Sequence, residues 1–363
     1  MDKTRPQQVQ KGRGATANPE SRFLASRSEQ VDDGWQDAKQ DGQQAPPGKT
    51  PTVLYPDRTV TLITRNQSPD IPFDRSINPY KGCEHGCVYC FARPTHAYLD
   101  LSPGLDFETK IFVKTNVRER LLDELGKSGY QCRTLAMGTN TDPYQPAEKQ
   151  QRVTRQVLET LLEARHPVSM VTKGQLILRD LDLLAEFAGL GLVSVAVSLT
   201  TLSNELKTRL EPRTASPAAR LRVIKQLSDA GVPVGAMVAP VIPFVNDHEI
   251  EDIVAAGVEA GAETMNYILL RLPHEVKDLF RDWLDVHYPM KAERVMSAIR
   301  SARGGKAYDA RWGTRMRGEG NIAELIGTRF RAALKRHGIL NAASPTLRTD
   351  LFRAPGQRQL SLI

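Results

Sequence analysis

Three cysteines within eight residues, Cys83, Cys87 and Cys90, are the residues in this chain best suited to chemistry. They lie in the stretch Pro79-Tyr80-Lys81-Gly82-Cys83-Glu84-His85-Gly86-Cys87-Val88-Tyr89-Cys90-Phe91-Ala92-Arg93-Pro94. Thiolates spaced by three and then two residues can fold round one metal centre, and Gly82 and Gly86 permit the φ-positive backbone that such a loop needs. A structural zinc site wants four protein ligands; the usual second pair of cysteines is missing, which leaves His85 or His96 to complete it. An iron–sulfur cubane held by three cysteines instead leaves one iron open to an exogenous ligand, and an open iron is a site for reaction. The fourth cysteine, Cys132, stands alone and reads as a packing residue, and four cysteines in 363 residues are no disulfide scaffold.

The elements that must position this loop follow from periodicity. Apolar runs at 134–138, 168–172, 192–200, 232–241 and 263–270 are continuous rather than alternating, as in parallel strands covered on both faces. Helical spacing separates them, with Val153, Val157, Leu158, Leu161 and Leu162 after the first run and Ile250, Ile253, Val254 and Val258 after the fourth. A further strand at 75–80 brings the count to six βα units, which predicts an incomplete barrel or an open doubly wound sheet.

Composition divides the chain in three. Residues 1–55 are poor in aliphatics and predict a disordered or linking tail, 70–290 form the α/β core, and 291–363 form a helical extension. No run approaches the roughly 20 apolar residues that span a bilayer, which excludes a membrane-spanning protein. The start has no apolar h-region, so the expected location is cytoplasmic. The net charge of +7 favours anionic partners, and 12 Lys and Arg against 4 Asp and Glu in residues 291–340 concentrate it there. Arg311, Trp312, Arg315 and Arg317 mix cations with an aromatic as nucleic-acid grooves do, although a solvated basic face has the same composition.

The spacing Cys-x3-Cys-x2-Cys, with Tyr89 just before the third cysteine, resembles the signature of the radical S-adenosylmethionine (radical SAM) enzymes. The resemblance implies a partial (β/α)6 TIM-like barrel with the loop after its first strand and a [4Fe-4S] cluster on Cys83, Cys87 and Cys90. It further implies S-adenosylmethionine on the open iron, cleaved by one electron from a flavodoxin- or ferredoxin-type reductant to a 5′-deoxyadenosyl radical that abstracts hydrogen from substrate. The loop after the second strand contacts the ligand in that family, which nominates Thr139, Asn140, Thr141 and Asp142; a turn that caps the next helix is the plainer reading. Lys173, at the end of the third strand, points into the barrel mouth and could pair with a carboxylate, unless it is a surface lysine at an ordinary turn. Ser198 resembles the small polar residue that the family uses on the carboxylate or ribose. Glu211 and Arg213, in Leu210-Glu211-Pro212-Arg213-Thr214, resemble a loop beside the ligand; as an exposed ion pair they would contribute under about 1 kcal/mol.

Over roughly residues 70–300 the chain is most similar to the group related to spore photoproduct lyase, a DNA-repair enzyme that splits a thymine dimer. Tyr89 matches an aromatic of that enzyme's cluster loop and is nominated as catalytic, while Phe91 replaces a relay tyrosine. Thr139 stands where the lyase has its hydrogen-donating cysteine, and Cys132, seven residues upstream, is roughly 20 Å away along a strand. Dimer splitting is therefore in question. Three functions follow: a radical SAM enzyme acting on nucleic acid, one modifying a small molecule or protein side chain, or a non-catalytic iron–sulfur or zinc protein.

Overall fold

The computed structural model describes residues 9–24 and 50–356. After β1 (Val53–Asp57) and β2 (Ile63–Arg65) the chain forms β3 (Arg75–Ile77) and β4 (Tyr80–Lys81). It then passes through the cysteine loop to α1 (Leu105–Thr109), β5 (Lys110–Lys114) and α2 (Val117–Leu125). Strand and helix alternate from there: β6 (Leu135–Met137), α3 (Glu148–Gln151), α4 (Val153–Glu163), β7 (Val168–Thr172), α5 (Leu181–Gly189), β8 (Val193–Ser198), α6 (Asn204–Leu210), α7 (Pro217–Asp229), β9 (Val234–Val241), α8 (Ile250–Glu259) and β10 (Thr264–Leu269). Three helices follow, α9 (Val276–His287), α10 (Ala292–Ser301) and α11 (Gly320–Arg336). None of the described helices is long and apolar enough to cross a membrane.

The large sheet runs β10-β9-β8-β7-β6-β3-β2. Its first six strands are mutually parallel and β2 is antiparallel at the edge. Spatial order follows chain order with no reversal, so there is no switch point, and the arrangement is a partial barrel rather than a doubly wound sheet. The strand expected at 75–80 is broken in two. Pro79 has no N–H for a ladder, so β3 stays in the large sheet while β4 pairs antiparallel with β5 in a small sheet of order β1-β5-β4. That break launches the cysteine loop from the end of β4, with Gly82 following Lys81 directly.

The core is the predicted one: Leu135, Met137, Met170, Val195 and Val238 from the strands pack in one cluster with Val157, Leu161, Ile253 and Val254 from the helices. Two expected boundaries fail. The segment after 290 is helical, but Ala323, Ile326 and Phe330 of α11 belong to that same core cluster, so α11 covers the barrel rather than extending from it. At the other end, residues 1–8 and 25–49 of the expected tail lie outside the described residues, yet 9–24 are folded against the cysteine loop, with Arg13, Ala15, Thr16 and Ser21 buried.

Polar bonds rather than apolar area hold this N-terminal strap, which is why composition did not reveal it. Gly14 and Ala15 donate their N–H groups to the Glu108 carboxylate at 3.0 and 2.8 Å. Arg13 donates to the Glu108 carbonyl at 2.8 Å. A Cβ on Gly14 would stand 1.8 Å from the Gly86 carbonyl oxygen, so only glycine permits the approach. Glu108 also pairs with Arg93, and both are wholly buried. Glu108→Ala should therefore lower stability by about 3–5 kcal/mol, because it strands a buried guanidinium and frees the strap. A midpoint of urea unfolding equal to wild type would show that the pair does not hold the fold.

Candidate active site

Gly82 and Gly86 take φ of 84° and 68°, as the tight loop requires. The loop's own backbone groups are tied down from several directions. Cys83 N–H donates to Phe107 O at 3.0 Å, Val88 N–H to Leu210 O at 3.1 Å, and Arg93 Nε to the Cys87 carbonyl at 2.9 Å. The Gly82 carbonyl accepts from Thr141 Oγ1 at 2.6 Å and Gln145 Nε2 at 3.3 Å, while Gln145 Oε1 receives the Glu84 N–H at 2.9 Å.

All three thiols are free, Cys83 and Cys87 buried and Cys90 nearly so. Burial pushes each one up, and Cys83 is raised further by the proximity of Asp142, Cys87 and Cys90. Buried thiols so close together become thiolates only against strong positive charge, which a metal centre supplies. Among the described residues, no three His, Cys, Asp or Glu side chains form a group that could hold a single metal ion. His96 Nε2 is hydrogen-bonded to the Lys110 carbonyl at 2.9 Å, and His85 Nδ1 faces Asp142 at 3.2 Å. Each histidine thus has one ring nitrogen engaged; a cubane, which takes each thiolate on a different iron, asks for three cysteines and no fourth protein ligand.

Beside the loop, at the carboxyl ends of β7, β8 and β9, the predicted residues Tyr89, Lys173, Ser198 and Glu211 come together. Lys173 Nζ bonds Ser198 Oγ, lies 3.3 Å from the Ala239 carbonyl and 3.4 Å from Glu211, and faces the Tyr89 ring at 5.9 Å. It points inward and does pair with a carboxylate. Glu211 is completely buried and accepts from Tyr89 Oη, from Thr200 Oγ1 at 2.6 Å and from Arg220. Burial alone would raise its pKa, but Arg220 and Lys173 outweigh it and hold the carboxyl well below its ordinary range. Burial and Glu211 push the Tyr89 phenol far up, so it stays protonated and donates.

Sequence reasoning missed Thr200, Arg220 and Gln145. Thr200 lies two residues beyond Ser198, the end of β8, and continuing the two-residue alternation of the apolar run 192–200 could have found it. Arg220 lies in the first turns of α7, which starts at Pro217 after the Ser216 cap, and spacing along the chain carries no sign of its partner nine residues back.

The Thr139–Asp142 quartet separates into two roles. Thr139 and Asn140 are half-buried at the strand end beside Asn78, with Thr139 Oγ1 at 3.2 Å from its amide and Asn140 N–H at 3.0 Å from its oxygen. Thr141 is committed to the Gly82 carbonyl. Asp142 accepts from Tyr144 N–H, Thr172 Oγ1 and Lys173 N–H at 2.7–2.8 Å and faces His85, so its four lone-pair sites are filled by protein. Burial opposes its charge, yet His85 and these bonds keep its pKa low. Arg213 turns away to Glu84 at 3.2 Å and is a third exposed. Thr141, Asp142, Glu211 and Arg213 are thus engaged by protein groups, and Thr139, Asn140, Lys173 and Ser198 lie at the carboxyl ends of β6, β7 and β8. Cys132 precedes β6, at the opposite end of the strand from Thr139, and burial pushes its thiol up to about 11.

Comparison with known proteins bears on the same region. The sequence model of the radical SAM superfamily matches residues 77–256. An uncharacterized protein of Mycobacterium tuberculosis is 40% identical over 232 residues, covering 63% of this chain and 68% of the relative. One of Methanocaldococcus jannaschii is 29% identical over 219 residues, covering 60% and 78%. Spore photoproduct lyase complexed with dinucleoside spore photoproduct matches in fold with a TM-score of 0.56 at 15% identity, over 78% of this chain and 79% of that one. A double mutant of the lyase with bound AdoMet and the same dinucleoside matches with a TM-score of 0.55, over 81% and 85%.

Glu211 gives the site a pH signature that needs no ligand. Its folded pKa lies below the ordinary 4.5, so its contribution to stability is fully present above that value and is lost as pH falls through the lowered one. Glu211→Gln should be less stable than wild type by about 3 kcal/mol at pH 7, with the gap closing on acidification below about pH 4. A gap that stays constant in unfolding experiments from pH 7 to 3 would refute the ionised, buried carboxylate.

Proposed function

The chain belongs to the radical SAM superfamily, and on that premise we propose that it uses a [4Fe-4S] cluster on Cys83, Cys87 and Cys90 to cleave S-adenosylmethionine reductively for hydrogen abstraction from a nucleic-acid substrate. The observation that carries this reading is the presence of three free thiols, two of them buried, beside Lys173, Ser198, Tyr89 and Glu211 at one face of a partial barrel. When bound and reduced by an external flavodoxin- or ferredoxin-type protein, the cluster supplies the electron that splits the S–C5′ bond and yields the 5′-deoxyadenosyl radical.

The chain's own residues bind, orient and exclude water. Lys173 and Ser198 offer a cation and a hydroxyl to the carboxylate and ribose of S-adenosylmethionine, with Thr139 and Asn140 serving its amino group. Tyr89 spends its hydroxyl on Glu211 and presents its ring toward Lys173 as an apolar wall. Thr141, Gln145 and Arg93 hold the cysteine loop in register, which the reaction needs because a small misplacement of the reacting atoms is costly. Nucleic acid as substrate is supported by the likeness in fold to a lyase solved with a dinucleoside photoproduct and by the basic 291–340 segment. Dimer splitting is not part of the proposal, since Thr139 occupies the donor cysteine's place. A small-molecule or protein substrate predicts no salt-dependent binding of DNA or RNA.

The experiment is anaerobic reconstitution with iron and sulfide, reduction with dithionite, and chromatography for 5′-deoxyadenosine and methionine. Alanine at Cys83, Cys87 or Cys90 should abolish the cluster absorbance and the products, whereas Cys132→Ala should retain both. Loss of the cluster in Cys132→Ala, or a well-formed cluster that leaves S-adenosylmethionine intact in the presence of lesion-bearing DNA, would overturn the reading. Lys173→Ala should keep its iron and bind S-adenosylmethionine about tenfold more weakly, measured by equilibrium dialysis. Wild-type affinity would remove Lys173 from the site.

A further inference from the structure

Arg271, two residues beyond the end of β10, is a cation that no carboxylate of the described residues pairs at the barrel mouth. Its guanidinium lies 5.2 Å from the centre of the Phe91 ring, and Phe91 directly follows Cys90. Among the described residues its two terminal nitrogens reach only the Met316 sulfur at 3.4 Å, a weak acceptor, and the Tyr308 hydroxyl at 3.5 Å, at the limit of hydrogen bonding. Its Nε is buried and has no partner.

Other arginines of the region differ. Arg315 binds Asp70 at 2.5 Å, Arg329 binds Glu251 at 2.6 Å, and Arg311 binds Asp309 and Glu319. Among the described residues no carboxylate forms an ion pair with Arg271. Behind it stands Arg303, 2% exposed, whose terminal nitrogens donate to the carbonyls of Leu269, Leu270, Thr314 and Arg315 at 2.7–3.0 Å. Arg303 rivets the 304–318 loop to β10 and adds a second positive charge. Burial and the like charge of Arg271 push it down to about 10, against the pull of Asp309, Tyr308 and Glu319.

A fixed, half-buried guanidinium with unspent donors is a receptor for an anion of planar or tetrahedral oxygen geometry. The neighbours specify which kind. The Phe91 ring beside the cation is 48% exposed, and the Tyr308 hydroxyl lies 3.5 Å from it, so the cation has aromatic neighbours of the kind that serve as base-stacking platforms. We propose that Arg271, backed by Arg303 and flanked by Phe91 and Tyr308, receives a phosphate group of a nucleotide-bearing substrate. This deepens the radical reading and rests on it for the meaning of the mouth, but it makes a claim about binding alone.

The test is fluorescence anisotropy of the reconstituted full-length protein with a labelled single-stranded oligonucleotide of about ten residues across a salt series, with thymidine monophosphate and thymidine as competitors. Arg271→Ala should weaken binding about tenfold and reduce the salt slope by about one. Arg271→Lys keeps the charge without the fork, so it should restore the slope and only part of the affinity. Arg222→Ala, an exposed arginine on α7, should bind as wild type. Undiminished affinity in Arg271→Ala, an equal loss in Arg222→Ala, or equal competition by thymidine and its monophosphate overturns the assignment. An oligonucleotide held more tightly than the monophosphate assigns the phosphate to nucleic acid, and the reverse order assigns it to a free nucleotide; both support the anion site. Wild-type protein that cleaves no S-adenosylmethionine while Arg271 still governs binding would refute the radical reading and leave this site standing.

Discussion

A carboxylate shut away from water must find its solvation in protein, and Glu211 makes that demand on four separate elements. Tyr89 answers from the cysteine loop, Lys173 from the end of β7, Thr200 from beyond β8 and Arg220 from α7. None of these is near another in sequence, so the requirement is met only when the barrel has closed to its final curvature. Leaving one charge of such a set unpaired is far more costly than any surface ion pair is favourable, and the arrangement therefore behaves as a unit. The mouth is fixed by this one interior anion before any ligand arrives.

The cysteine loop presents the complementary difficulty. It is irregular backbone in a buried place, so each of its N–H and C=O groups needs a partner that no neighbouring strand provides. Phe107, Leu210, Thr141, Gln145 and Arg93 supply those partners from distant parts of the chain. Glu108 then joins the inside to the outside, holding Arg93 beneath the loop and the strap of residues 9–24 above it. The strap closes over the Gly86 carbonyl so tightly that Gly14 has no space for a side chain. A site meant for a reactive radical is best served by such rigid and dry support, because the competing reactions are with solvent.

The sequence was legible where the physics is local. Continuous apolar runs and 3.6-residue spacing predicted the strands and helices, and the count of six parallel strands is correct because covered parallel strands leave that pattern. The cysteine spacing and the two glycines located the loop. What was not legible is carried by polar pairs between distant residues. The pairings of Arg13 with Glu108 and of Arg220 with Glu211 have no periodicity and no compositional trace, so even Glu211, nominated from its motif, gave no sign of its partner. The same blindness assigned residues 9–24 to a tail, since they bury little apolar area, and separated α11 from the core that it completes. Asp142 was nominated from the motif, but its saturation by Tyr144, Thr172, Lys173 and His85 is a fact of the fold alone.

Net charge was the least informative guide and becomes useful only after subtraction. The excess of cations in residues 291–340 suggested an open basic surface, yet Arg303 is buried on carbonyls, Arg315 is locked to Asp70, and Arg317 lies 4.0 Å over the Tyr267 ring. These side chains fasten the 304–318 loop across the end of the sheet, which is structural work that any arginine with a carboxylate or carbonyl partner can do. At the mouth Lys173, facing Tyr89, is already engaged by Ser198, the Ala239 carbonyl and Glu211, whereas Arg271, beside Phe91, keeps donors unspent among the described residues. Lys173 faces Tyr89 and Arg271 faces Phe91, and Cys90 lies between those aromatics in sequence. An anionic group arriving at Lys173 must compete with Glu211, whereas one arriving at Arg271 meets no paired carboxylate among the described residues, so the two cations differ in what they can receive.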